Sequence, residues 1–335
     1  MASLRRHLPA IVSLLLLGAA ALYLVVRNDQ LSAVLATWRR IDPLHLVAAI
    51  ALMILAQLAV GWRCRIILEG DGLHEPNMFW PLVRIQMVTL FAAHGAIIPG
   101  FAEAAKATMF KLRFNISAAR SVKLVIYERI CTAIGFMMVG LLTTPPLFLV
   151  EVPSLLVIVP LLLWLAGLVM LATIFALANR NISTGSPRID WFASSFLQVG
   201  QLYHWRRSFV ELFLSALAQL LLVATIFLLL SRAMAMPIQP VLIFLFMPFI
   251  FVVASLPVFY MGWGGREGVV IMTLGTVAHL PTAEALALSA AFGVTVLLAS
   301  QPGALLWLMR PSMRKAEQAE SSSTRAAIDP PPVMK

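Results

Sequence analysis

Runs of about twenty apolar residues recur along the chain, and each could cross the hydrocarbon core of a membrane as an α-helix. The 335 residues are 61% hydrophobic and 12% charged, with a mean hydropathy of +0.91. A soluble domain carries about 25% charged residues, so a soluble globular protein and a disordered chain are both excluded. A β-barrel is excluded because its strands alternate polar and apolar residues. The sequence therefore predicts an all-α polytopic membrane protein.

We predict about six full spans and two broken helical hairpins. The full spans lie at about 8–26, 44–67, 122–142, 155–178, 209–230 and 285–309. The first has no small-residue cleavage site after it and is interpreted as an uncleaved span. Two other apolar stretches, 81–112 and 241–278, are interrupted by proline, glycine and charged residues. Such interruptions are tolerated at membrane depth only where protein or a water-filled cavity covers the backbone.

Basic residues sort the loops into two groups. The net charge of +10 is dispersed over helix ends, which predicts topology signals and no nucleic-acid partner. The basic group is Arg5, Arg6, Arg63, Arg65, Arg84, Lys111, Arg113, Arg120, Lys123, Arg180, Arg188, Arg206, Arg207, Arg310, Arg314 and Lys315. Loops 144–153, 232–240 and 279–284 have almost no basic residues. Loop 27–43 is placed on the same side of the membrane as these three loops although it does contain basic residues. If each hairpin returns to its starting side, both termini are cytoplasmic, in the inner membrane.

The sequence predicts one transmembrane domain over residues 1–310, followed by a disordered cytoplasmic tail at 311–335. Its halves, about 44–144 and 208–308, align at an offset of 164 residues, which pairs Glu103 with Glu267. Three full spans separate the two hairpins. Because three is odd, the hairpins enter from opposite faces, which predicts an inverted-topology repeat.

Segment 186–208 has apolar residues at helical spacing and two flanking tryptophans. It is interpreted as an amphipathic helix in the membrane interface. The alternative is a docking helix for a partner protein, such as a cytoplasmic lipid-synthesis enzyme.

The first hairpin carries Pro99, Gly100, Glu103 and Lys106. Proline and glycine favour a break in the helix, and the free amides of the restarting helix suit a phosphate group. Lys106 lies three residues after Glu103, so the two side chains share a helix face. They would then either bind a ligand or simply neutralise each other.

The next helix carries Glu128 and Arg129. Arg129 would either pair with a substrate anion or extend to the membrane interface.

The second hairpin places an Arg-Glu pair among four glycines in apolar surroundings. Its candidate residues are Pro257, Gly262, Gly264, Gly265, Arg266 and Glu267. Gly264 and Gly268 would alternatively serve close helix packing. The segment is not a dinucleotide fingerprint, because no βαβ unit surrounds it.

The remaining reactive side chains give no enzyme signature. Cys64 and Cys131 predict neither a disulfide framework nor a zinc site and are interpreted as buried fillers. His94 is the histidine placed inside an apolar stretch, either hydrogen-bonded in the core or acting as a proton relay. We expect no cofactor, no metal ion and no catalytic residues.

These motifs resemble the transmembrane region of lysylphosphatidylglycerol synthases, a broad family of flippase-like membrane proteins. The resemblance covers about residues 10–310. The matching motifs are Pro99, Glu103 and Lys106, then Glu128-Arg129, then Leu256-Pro257, then residues 262–267. The chain departs from the family at Ala102, usually glycine, at Lys106, usually arginine, and at Thr132, commonly aspartate. We expect no soluble aminoacyl-transferase domain and therefore no synthesis of lysyl-phosphatidylglycerol.

The resemblance implies a flippase that moves a lipid with a phosphate or other polar headgroup, such as a phospholipid, a polyprenyl-linked lipid or a hopanoid. Lys106, Arg129 and Arg266 would hold an anionic phosphate in a cavity between the hairpins. Glu103, Glu128 and Glu267 would balance those charges or recognise a cationic headgroup. The alternatives are a membrane-embedded transferase acting on a polyprenyl-phosphate or hopanoid, with a buried carboxylate as base, and a non-catalytic partner subunit.

Overall fold

The computed structural model describes residues 30–95, 100–179, 199, 206–255 and 262–308, and these residues form helices and short connections without a strand. The helices are α1 Gln30–Trp38, α2 Pro43–Gly70, α3 Phe79–Gly95, α4 Phe101–Phe114, α5 Ala118–Thr143, α6 Leu155–Asn179, α7 Arg206–Ala233, α8 Pro240–Ala254, α9 Gly265–Val270 and α10 Thr282–Leu308. A 3₁₀-helix covers Pro145–Leu149, and a π-helical turn, Ile271–Gly275, continues α9.

Five helices are long and apolar enough to cross a membrane: α2, α5, α6, α7 and α10. They match five of the six predicted full spans. The sixth, 8–26, lies outside the described residues, as do the tail 311–335 and most of segment 186–208. The helix α1 was not predicted, because residues 27–43 were interpreted as a loop.

Local sequence signals explain where the long helices begin. The Asp42 carboxylate accepts the Leu44 amide hydrogen at 3.0 Å, and Pro43 occupies the first helical position of α2. Ser117 caps α5 by accepting the Arg120 amide hydrogen, and Pro240 starts α8. Each of these is a preferred residue at the position it occupies.

The two interrupted stretches form the two predicted hairpins, α3–α4 and α8–α9. At a rise of 1.5 Å per residue, the 17 residues of α3 span about 26 Å and the 14 residues of α4 about 21 Å. The 15 residues of α8 span about 22 Å. A hydrocarbon core is about 30 Å thick, so none of these three helices reaches from face to face when it lies along the membrane normal.

The helix α2 packs most extensively against α7, and around this central pair α3 packs on α10 and α5 on α8. Arg63 of α2 contacts Gln219 of α7, and Glu69 lies within electrostatic range of Arg207. Because the later residue of α2 lies beside the earlier residue of α7, the two helices run antiparallel. Two apolar clusters form the core. One consists mainly of first-half residues between Cys64 and Ile134, and the other mainly of second-half residues between Ala216 and Ala299.

Basic helix ends meet at one end of the bundle. Arg120, at the start of α5, binds Asp71, just after α2, at 2.6 Å. Arg113, at the end of α4, pairs with Glu75 at 3.0 Å. At the opposite end, Trp38 of α1 donates to the Ala287 carbonyl of α10 at 3.0 Å. The end that α1 shares with α10 is thus opposite the end that carries Arg120 and Arg113.

Helix boundaries in the two halves coincide at the offset of 164 residues. Phe101 and Gly265 start α4 and α9, and Ala118 and Thr282 start α5 and α10. The flanking backbone coincides as well. Gly100 and Gly264 precede α4 and α9 with φ of 81° and 88°, and Asn115 and His279 have φ of 49° and 53°. Each of these four residues adopts a positive φ, which is uncommon for residues other than glycine.

Candidate functional site

The tip of the first hairpin exposes a glutamate–arginine pair. Gly100 turns the chain into α4, whose amino end has no side-chain cap. Glu103 lies in the first turn of α4, and the Arg129 guanidinium of α5 donates a hydrogen bond to its carboxylate. The side chains of Arg129 and Glu103 are 60% and 40% exposed. This pair is therefore open to a polar ligand.

Lys106 lies in a sealed cluster deeper in the first half. Its ammonium group donates to the Glu128 carboxylate at 2.7 Å and to Gln86 Oε1 at 3.0 Å. The Gln86 amide donates in turn to the Cys64 thiol at 2.8 Å. The predicted proximity of Lys106 and Glu103 on one face therefore does not produce an ion pair, because Lys106 bonds to α5 and Glu103 bonds to Arg129.

Arg63 joins this region from α2. It was grouped with the basic residues that mark the cytoplasmic helix ends, but it is buried within α2 with 1% of its surface exposed. The guanidinium Nη2 donates to Gln219 Oε1 of α7 at 2.9 Å. The positive charges of Lys106, Arg129 and Arg63 all act on Glu128.

The tip of the second hairpin is closed and internally satisfied. Arg266 donates through Nη2 to Glu267 Oε1 at 2.8 Å and through Nε to Ser289 Oγ at 3.0 Å. The Ser289 hydroxyl donates to Glu267 Oε1 at 2.9 Å, and the Gly264 amide donates to Glu267 Oε2 at 2.6 Å. The Arg266 and Glu267 side chains are 6% and 11% exposed.

Aromatic rings and two glycines complete this tip. The Arg266 guanidinium lies 5.0 Å from the Trp263 ring and 5.2 Å from the Phe292 ring, within cation–π range. A Cβ atom added at Gly293 would lie 2.8 Å from Arg266 Nη2. Gly293 therefore makes room for the guanidinium. Gly262 has φ of 78° and is buried against Ala254, whereas Gly265 is buried in the first turn of α9.

The two tips place a guanidinium at equivalent positions. Glu103 and Glu267 are equivalent at the offset of 164, and so are Arg129 and Gly293. In the first half, the position on α5 is occupied by the arginine itself, Arg129. In the second half the position is glycine, and Arg266 fills the space from beside the glutamate. Each half thus brings one glutamate and one guanidinium together by a different route.

An electrostatic interaction links the end of α3 to the second tip. His94, near the end of α3, accepts or donates a hydrogen bond at the Leu90 carbonyl at 2.8 Å and lies within electrostatic range of Arg266. His94 therefore has the core hydrogen bond that was one of its two interpretations. Pro99 and Pro257 lie outside the described residues. Cys64 and Cys131 are buried and are not joined by a disulfide bond.

Sequence reasoning missed several polar partners. Gln86, Gln219 and Ser289 complete the clusters, and none of them lies in a motif. Their one signal is a polar residue inside an apolar helix, which is expensive unless it is hydrogen-bonded. In the described part of the chain no three His, Cys, Asp or Glu side chains are grouped to hold a metal ion.

Comparison with curated proteins gives no match. Residues 10–301 match the family described as the lysylphosphatidylglycerol synthase TM region. The matched part includes α1 to α9, both hairpins and all the candidate residues. With five apolar spans among its described helices, the chain is an integral membrane protein, and it belongs to the family of the lysylphosphatidylglycerol synthase transmembrane region.

Proposed function

We propose that this protein is a flippase that moves a lipid with a phosphate or other polar headgroup across the inner membrane. It acts by alternating access, without catalytic residues or a cofactor, and with both termini in the cytoplasm. The observation that carries the proposal is the pair of equivalent hairpin tips, one exposed and one closed. Family membership supports a role connected with membrane lipids.

The arrangement of the halves supports an inverted repeat. Helix boundaries and positive-φ residues coincide at one offset, and the equivalent helices α2 and α7 run antiparallel. Two units related in this way present the same structure to opposite faces of the membrane. Such repeats commonly rock against each other around a site near the bilayer midplane.

The unequal exposure of the tips supports one end state of that rocking. The first glutamate–guanidinium pair is open, and the second is closed by Trp263 and Phe292. In an inverted repeat, exchanging the conformations of the halves opens the second tip and closes the first. A polar headgroup bound at the open tip is then released on the other side while its chains remain in the lipid.

Ion pairing at the tips determines what the ligand must offer. Arg129 and Arg266 are each paired with a glutamate, so an anionic headgroup must compete for the guanidinium and a cationic one for the carboxylate. A phosphate matches the planar fork of arginine. Lys106 is already bonded to Glu128 and Gln86, and it acts by holding α3, α4 and α5 together.

Translocation is tested with the full chain in liposomes that contain a fluorescent phosphatidylglycerol, a polyprenyl phosphate or a hopanoid probe. A membrane-impermeant quencher reports the fraction of probe on the outer leaflet. We expect the protein to accelerate the movement of at least one probe. Glu103→Gln and Glu267→Gln should each slow it about tenfold or more, because each removes a charge-assisted hydrogen bond.

The matched control is Glu284→Gln, at the start of α10 and outside both tips, which should retain the wild-type rate. Equal rates in all variants would contradict the assignment of the tips. No acceleration of any probe over empty liposomes would contradict translocation. A chemically altered lipid would favour the transferase, and undiminished function after changes in both tips would favour the partner subunit.

A further inference from the structure

Arg63 lies between the two halves, where α2 crosses α7. Its Nη2 atom donates to Gln219, but Nε and Nη1 are also buried and have no hydrogen-bond partner among the described residues. A guanidinium cannot lose its proton in a protein. Unfilled donors on a buried charge are costly, so they call for a ligand or a water molecule.

The charge balance around Arg63 favours an anion over water. Three charged side chains of the described first half are buried, and Arg63 and Lys106 outnumber the single carboxylate, Glu128. Lys106 binds that carboxylate at 2.7 Å. The buried pair Arg266–Glu267 of the second half is neutral, and neither side chain has a buried polar atom without a hydrogen-bond partner. The surplus positive charge therefore lies in the first half, at Arg63.

A groove between α2 and α7 lies at the basic end of the bundle and contains a cavity of about 200 Å³. The cavity is lined by Trp62, Arg65, Ile66, Glu69, Arg207 and Glu211. Arg63 lies about one turn further into the membrane than Ile66, and Gln219 about two turns further than Glu211. Arg63 and Gln219 do not line the cavity, but they lie on the same two helices, one to two turns further into the membrane.

We propose that Arg63 is an oxyanion-binding residue that takes a phosphate group at the inner end of the α2–α7 groove, with Gln219 orienting its guanidinium. Arginine donors match phosphate oxygens in charge and geometry. The proposal rests on the proposed function only in taking the phosphate from a lipid headgroup. Arg63 lies seven residues before the end of α2, about 10 Å along the axis, where a headgroup entering from the basic end would meet it.

The first test measures thermal unfolding of the full chain in a maltoside detergent free of phosphate. The added probes are phosphatidylglycerol, diacylglycerol and inorganic phosphate. A ligand that binds the folded state raises Tm. We expect phosphatidylglycerol to raise the Tm of the wild type but not that of Arg63→Met, and we expect diacylglycerol to have no effect. The control, Arg113→Met, removes an arginine from a distant ion pair and should respond like the wild type.

The second measurement separates binding from a structural role. Without ligand, Arg63→Met should be at least as stable as the wild type, because the change removes a buried charge with unfilled donors. Native mass spectrometry should show retention of phosphatidylglycerol falling about tenfold or more in Arg63→Met, as expected for a lost charge-assisted bond. Arg63→Lys keeps the charge without the fork and should retain an intermediate amount.

The outcomes distinguish the sources of the phosphate. Stabilisation by inorganic phosphate alone, lost in Arg63→Met, supports the site and assigns it to a free oxyanion. An equal response of wild type and Arg63→Met to all probes overturns the proposal. A ligand-free Arg63→Met less stable than Arg113→Met also overturns it. Intact oxyanion-dependent stabilisation without lipid movement contradicts the proposed function and leaves this site standing.

Discussion

Glu128 lies among three cations. Lys106 binds it directly, and Arg63 and Arg129 act on it through space. Loss of Lys106 still leaves Glu128 opposite the other two charges. Loss of Glu128 leaves Lys106 and Arg63 buried without a carboxylate.

We therefore expect Glu128→Gln to destabilise the protein more than Lys106→Met. Removing one partner of a buried ion pair costs about 3–5 kcal/mol, and we expect Glu128→Gln to reach that range. Denaturant unfolding in detergent, followed by circular dichroism, measures the two free energies. A larger loss for Lys106→Met would contradict this account of the cluster.

Relocating one arginine tests the equivalence of the tips. Arg266→Ala should abolish lipid movement because it leaves Glu267 without its guanidinium. Adding Gly293→Arg should restore part of the activity, since the new guanidinium grows from the position that Arg129 occupies in the first half. The end of the Trp263 ring must shift to admit the new Cβ. Initial rates in the liposome assay measure the rescue, and Gly293→Arg alone should not increase activity.

At the scale of single residues, the sequence predicts which charged side chains belong to the candidate site better than it predicts which of them form ion pairs with each other. Glu103, Lys106, Arg129, Arg266 and Glu267 all lie in motifs. The partner of Lys106 is on another helix, and an i,i+3 spacing cannot reveal it. The burial of Arg63 was not predicted, because an arginine near a helix end usually extends to the interface. Only the packing of α7 against α2 shows that its side chain is buried.

Glycine allows a close contact between α3 of the first hairpin and α10. A Cβ atom at Gly303 of α10 would lie 2.1 Å from the Met87 carbonyl oxygen of α3. Backbone cannot move aside as a side-chain end can. The helices α3 and α10 therefore approach closely only because residue 303 has no side chain.

Gly303→Ala should lower the stability of the protein and separate α3 from α10. The matched control is Gly268→Ala, whose Cβ would meet nothing within 4 Å, so it should be neutral or stabilising by up to about 1 kcal/mol. Thermal unfolding compares the two variants. Equal destabilisation would show that Gly268 serves close packing, which was the alternative interpretation of that residue.

The cap of α2 depends on pH. The Leu44 amide and the His45 side chain, both bonded to the Asp42 carboxylate, lower its pKa. A lowered pKa means that the stabilisation is present at neutral pH and is lost as pH falls through the folded-state value. Hydrogen exchange of the first turn of α2, corrected for intrinsic rates, should accelerate in acid. Asp42→Asn should remove this pH dependence while keeping a cap.

Helix positions could be predicted within a few residues because hydropathy and caps determine them. The interruption of each hairpin could be located for the same reason, from proline and glycine. The π-helical turn Ile271–Gly275 could not, because one extra residue in a turn leaves no mark on an apolar sequence. The helix α1 was missed because it is only nine residues long and two arginines follow it.

The whole molecule offers a direct test of inversion. Ala118 and Thr282 are exposed, equivalent positions at the starts of α5 and α10. We expect Ala118→Cys and Thr282→Cys to react with a membrane-impermeant maleimide from opposite sides of the membrane. Inside-out and right-side-out vesicles measure the sidedness, and the buried native cysteines keep the wild-type background low. Labelling of both from the same side would contradict the inverted repeat.

At this scale the sequence predicts the architecture well, because membrane helices are defined by length and composition. The offset of 164 residues could be found from a few matched residues, although few residues of the two halves are identical at that offset. Asn115 and His279 have different side chains but share a positive φ angle, which supports the equivalence of the two positions. The difference in exposure between the tips could not be foreseen, since it belongs to one conformation and not to the sequence.

The helix α6 packs against α5 and the adjoining 3₁₀-helix and is otherwise largely exposed. In the proposed topology a half that consists of a span, a returning hairpin and a span crosses the membrane an even number of times. A tandem copy joined by a short linker would point the same way as the original. One additional crossing reverses the second copy, so in this topology the helix that adds little to the core is the one that gives the second unit its inverted orientation.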